Sequence, residues 1–111
     1  MIDGHAHLNE IYDIEGVLVR AEAAGVARIV AVGMYMAYNL MVLEIAASNP
    51  CLVLPSVGFL PWSFPTDPFE AYLAFLRTQL ASCSALGEVG LVLKAKVKKA
   101  VQWEVFARVL D

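Results

Sequence analysis

A chain of 111 residues with a formal net charge of −3 and a pI near 5.3 is one domain at most, and it offers no overall field that attracts nucleic acid. Apolar residues make up 59% and charged residues 17% of it; the first share is above and the second below what soluble domains usually carry. That excess implies strands buried on both faces, or surface that further protein covers.

The elements alternate along the chain. Ile2 to His7 reads as a short strand. Asp13 is an N-cap candidate, and the helix IEGVLVRAEAAG runs to Gly25, a good C-terminal stop. Residues 27–33, ARIVAVG, form a continuous apolar strand. Residues 36–48 form a second helix, stopped by Asn49-Pro50. Leu52 to Gly58 is a third strand, followed by a Pro-rich loop, FLPWSFPT. Asp67 then caps a third helix, with Pro68 at its first position and Glu70 at its third. Residues 85–91, ALGEVGL, are a fourth strand, and AVQWEVFARVLD is a fourth helix.

The charge-free stretches 29–43 and 45–66 raise the question of a membrane span. The second contains Pro50, Pro55, Pro61 and Pro65, and the first changes from a strand-like to a helical run, so both read as soluble segments. The N-terminus has no basic lead before an apolar run and does not read as a signal peptide. Cys51 and Cys83 form neither a metal spacing nor a disulfide framework, and read as two buried thiols in a reducing cytoplasm.

The order is therefore βαβαβαβα, one unit roughly every 25 residues. Apolar strands linked by helices imply a parallel sheet. Two α/β architectures fit: a small open doubly wound sheet, or half of a TIM-type (βα)₈ barrel, taken here as a single (βα)₄ unit over residues 1–111.

The chemistry sits at strand ends. Alternate strand residues share a face, so Asp3, His5 and His7 line up, with the histidines at the C-terminal end of the first strand. That is the active end of a barrel. Two imidazoles so placed suit one divalent ion, and Asp3, one pleat deeper, is placed to orient an imidazole. The plain alternative for any H-x-H is one surface histidine and one loop cap. Glu88 lies in the otherwise apolar LGEVGL, where a buried carboxylate needs a partner; the plain alternative is a strand-end glutamate reaching solvent. Lys94 and Lys96 follow the fourth strand at the same end and suit an anionic substrate such as a phosphodiester, though a loop lysine is more ordinarily just solvated. Trp62 lies on that face as well.

Taken in order, MIDGHAHL, AEAAGVARIVAVG, SVGFLPW, LGEVGL and QWEVFARVL resemble the TatD-like metal-dependent hydrolases, amidohydrolase-type barrels that include DNases. H-x-H alone is shared with phosphoesterases of the PHP type; its combination with G-E-V-G-L at this separation is the specific feature. The resemblance implies a (βα)₈ barrel, of which this chain is the N-terminal half, with a two-metal site. It makes His5 and His7 ligands of one ion (Zn, Mn, Ni or Mg) and makes Glu88 the bridging, catalytic carboxylate. The implied reaction is hydrolysis of DNA or another phosphodiester by a metal-activated water. Leu60 stands where the family usually has a histidine and Val92 where it usually has an aspartate, and the family's later ligands have no counterpart in these 111 residues. The chain thus reads as truncated, split or degenerate, with a partner chain or a second copy completing the barrel. The competing readings are a catalytically inactive half-barrel that binds or assembles, and an unrelated open-sheet phosphoesterase.

Overall fold

The computed structural model describes residues 1–60 and 68–111. In chain order the elements are β1 (Ile2–Ala6), a single 3-10 turn (Leu8–Glu10), α1 (Ile14–Ala23), β2 (Arg28–Val32), α2 (Met36–Ser48), β3 (Val53–Phe59), α3 (Phe69–Leu80), β4 (Ala85–Val89) and α4 (Lys99–Leu110). The cap expected at Asp67 and the pocket position expected for Trp62 lie outside the described residues. Pro68 precedes α3 instead of opening it.

Local chemistry explains the helix boundaries. The Asp13 carboxylate accepts the Gly16 N–H at 3.1 Å, satisfying one of the orphan donors of α1. Gly25 then turns the chain with φ of 85°, a conformation that costs a side-chain-bearing residue energy. At the end of α2 the Asn49 Nδ2 donates to the Ile45 carbonyl at 3.0 Å, which takes up a free helix-end acceptor.

All strand pairs are parallel and the order is β1-β2-β3-β4. Strand order decides between the two architectures. With crossovers of one hand, a sequential order places every helix on the same face, whereas a doubly wound sheet must reverse its order once. The sheet is a curled half-barrel. Its outer face carries two apolar clusters. Ile29, Ala31 and Val53 pack against Leu18, Val42 and Ala46 of α1 and α2. Val57 and Phe59 pack against Tyr72 and Leu76 of α3. Each such valine or leucine contributes about 1.5–3 kcal/mol on full burial.

Two strands depart from regular register, and both carry candidate ligands. Asp3 pairs with Ile29 and Ala6 with Ala31, so β1 holds one residue more than β2 over that interval. Val57 pairs with Leu86 and Phe59 with Val89, so β4 holds one more than β3. These are bulges, which re-aim side chains at barrel rims.

Candidate metal centre

Ala6 packs into the outer cluster, so His5 and His7 on either side of it fall on the inner face. Glu88 arrives from the bulge of β4. His5 Nε2 and His7 Nε2 are 3.2 Å apart, and Glu88 Oε2 is 3.8 Å from the first and 3.5 Å from the second. These three are the group among the described residues whose donor atoms converge as a metal site requires. The site opens to solvent, since the His5 side chain is 52% exposed and Glu88 35%.

The donor set fits a divalent cation. Two ligands about 2.1 Å from a tetrahedral zinc stand about 3.4 Å apart, and the three separations bracket that edge. The His7 Nδ1 lies 3.1 Å from the Val32 carbonyl. A carbonyl only accepts, so the proton sits on Nδ1 and the Nε2 lone pair faces the cluster. His5 Nε2 then either donates its own proton to that lone pair or joins it in facing a cation.

Two expectations change here. The pleat argument sets Asp3 behind an imidazole, but Asp3 Oδ1 accepts the backbone N–H of His5 at 3.1 Å. The extra residue in β1 breaks the alternation on which that argument rests, and the orienting contact to His7 comes from β2. The Glu88 side chain is about one-third exposed, so the cost of a fully buried carboxylate does not explain its place. Its carboxylate turns to the two histidines, where the plain alternative has it reach out to solvent.

The whole chain matches one family: residues 2–111 fit TatD related DNase. The chain belongs to that family. No curated protein matches it. TatD relatives are metal-dependent hydrolases of the DNase type, and the matching fold here is the parallel half-barrel already described. No described helix is long and apolar enough to cross a membrane.

Against the TatD pattern, Val92 lies in a loop fixed by a buried side chain. Gln102 Oε1 accepts the Val92 N–H at 2.8 Å, and its Nε2 donates to the Val92 and Val97 carbonyls at 3.1 and 2.8 Å. This clamp holds the segment that carries Lys94 and Lys96, and both lysines are exposed. Leu60 is tied by its N–H to the Met34 carbonyl at 3.0 Å.

Several supporting groups carry no sequence signature. The Val32 carbonyl is backbone. Ser56 Oγ donates to the Gly87 carbonyl at 3.0 Å, just before Glu88. Tyr35 and Tyr38 stack at 4.1 Å beyond the end of β2. Asn39 reads in the sequence as one polar residue in an apolar helix, yet it is fully buried.

Proposed function

We propose that this chain binds a divalent cation through His5, His7 and Glu88 and hydrolyses a phosphodiester, DNA being the substrate its family description points to. The observation that carries this reading is the convergence of two imidazole nitrogens and one carboxylate oxygen at 3.2–3.8 Å. A bound Zn, Mn, Ni or Mg ion would make water nucleophilic near neutral pH and would stabilise charge on the phosphoryl oxygens.

The chain's own residues do the rest. His7 presents one fixed lone pair, because Val32 holds its other nitrogen. Glu88 lends the negative charge that offsets the cation and, as the carboxylate nearest both rings, is the residue on which catalysis depends. Lys94 and Lys96, on the loop after β4, supply positive charge for substrate phosphates. The exposed apolar residues Ile2, Leu93, Trp103 and Leu110 favour a second reading, in which the half-barrel acts by assembling with another chain or a second copy.

The test combines elemental analysis with turnover of bis-p-nitrophenyl phosphate. Wild type is expected to retain metal and turn over. His5→Ala is expected to lose metal, and Glu88→Gln to lose at least tenfold in rate. Metal-free wild type, or equal rates in wild type and Glu88→Gln, overturns the reading.

A further inference from the structure

The backbone of Glu88 rests on two glycines. Its N–H donates to the Gly33 carbonyl at 3.0 Å. Its own N and O atoms lie so close to Gly58 that a Cβ there would overlap them. Any side chain at residue 58 would therefore push β4 away. Gly33 is closed in the same manner, because a Cβ there would overlap the Asn39 side chain.

One buried amide holds Gly58 by hydrogen bonds and packs closely against Gly33. Asn39 Oδ1 accepts the Gly58 N–H at 3.1 Å, and its Nδ2 donates to the Gly58 carbonyl at 2.9 Å. The same Nδ2 donates to Tyr72 Oη at 2.7 Å, and that hydroxyl donates to the Gly58 carbonyl at 2.8 Å. Asn39 and Tyr72 are both fully buried. Polar groups so deep are costly unless paired, and here their donors all end on each other or on Gly58. The network thus fixes one peptide unit, on which the carboxylate-bearing strand sits.

We infer that Asn39, seconded by Tyr72, is the positioning residue for Glu88: it sets where β4 places its carboxylate against the two histidines. In the metal arm of its test this inference rests on the cation site proposed above. Neither residue touches the cluster. They act through Gly58 and Gly33, and helix α2 thereby governs a ligand on β4 to which it is not adjacent in the sheet.

The test uses this 111-residue chain and three variants: Asn39→Ala, Tyr72→Phe, and Val42→Ala as a control. Val42 is equally buried on the same helix but packs in the outer cluster. Mn²⁺ affinity is measured by calorimetry, and amide hydrogen exchange of Glu88 by NMR relative to that of Val30 in β2. Positioning predicts a loss of about tenfold in Mn²⁺ affinity for Asn39→Ala and a smaller loss for Tyr72→Phe, which keeps the amide. It also predicts faster exchange at Glu88 than at Val30 in both. Val42→Ala is expected to lower the melting temperature with neither effect. If Asn39→Ala fails to fold, Tyr72→Phe decides. Variants that change affinity and exchange only in step with global stability overturn the inference. A wild type that binds no Mn²⁺ overturns the metal reading instead, while the Glu88 exchange ratio still decides the positioning role.

Discussion

His7 shows how much a single residue depends on its neighbour. The Val32 carbonyl takes one ring nitrogen, and that one bond leaves the other nitrogen with a lone pair to offer rather than a proton. In the metal-free protein, nitrogen-15 spectra are expected to show His7 protonated at Nδ1; protonation at Nε2 would remove the basis of the ligand argument. Tyr72 is the second informative residue. Burial pushes its hydroxyl well above the ordinary tyrosine range, with the Asn39 hydrogen bond opposing. The folded chain therefore keeps the proton where the unfolded chain gives it up. The contribution is intact below about pH 10 and is lost as pH rises beyond it. Urea unfolding between pH 8 and 11 should show stability falling above about pH 10, and Tyr72→Phe should flatten that fall. At this scale the three residues whose donor atoms converge could be picked out from the sequence, because H-x-H and the lone Glu88 stand out in apolar strands. Asn39 was not legible, since its partners lie 19 and 33 residues away.

At the scale of elements, the boundaries that follow from local chemistry were readable. Gly25 ends α1 and Asn49-Pro50 ends α2, because both effects act within a turn. The bulges in β1 and β4 were not readable, since register is a relation between strands. The loop between β4 and α4 depends on one side chain from the helix that follows it. Gln102→Ala leaves the Val92 N–H and the Val92 and Val97 carbonyls without their partner. It is expected to cost about 1–3 kcal/mol in urea unfolding. It should also raise KM for a phosphodiester without lowering metal content, because the lysine loop loses its anchor while His5, His7 and Glu88 keep theirs. An unchanged midpoint would show that the clamp is dispensable.

For the whole molecule, the unusual composition has a physical counterpart. Ile2 on β1 is 66% exposed and Leu93 beyond β4 is 77% exposed, and among the described residues β1 pairs only with β2 and β4 only with β3. Such edges invite further strands. This chain alone is expected to bind a hydrophobic dye such as ANS, and to lose that binding on association. A monomer by light scattering that binds no dye would show that its apolar surface is covered within the chain. The apolar excess left open strands buried on both faces or surface that further protein covers; which apolar residues are exposed depends on the curl.

That curl has a metric meaning. Laid flat, β1 and β4 would stand three strand spacings apart, about 14 Å. Yet His7 and Glu88 meet at 3.5 Å across the mouth. The donor triad is thus a gauge of sheet curvature, closing as the arc tightens and opening as it relaxes.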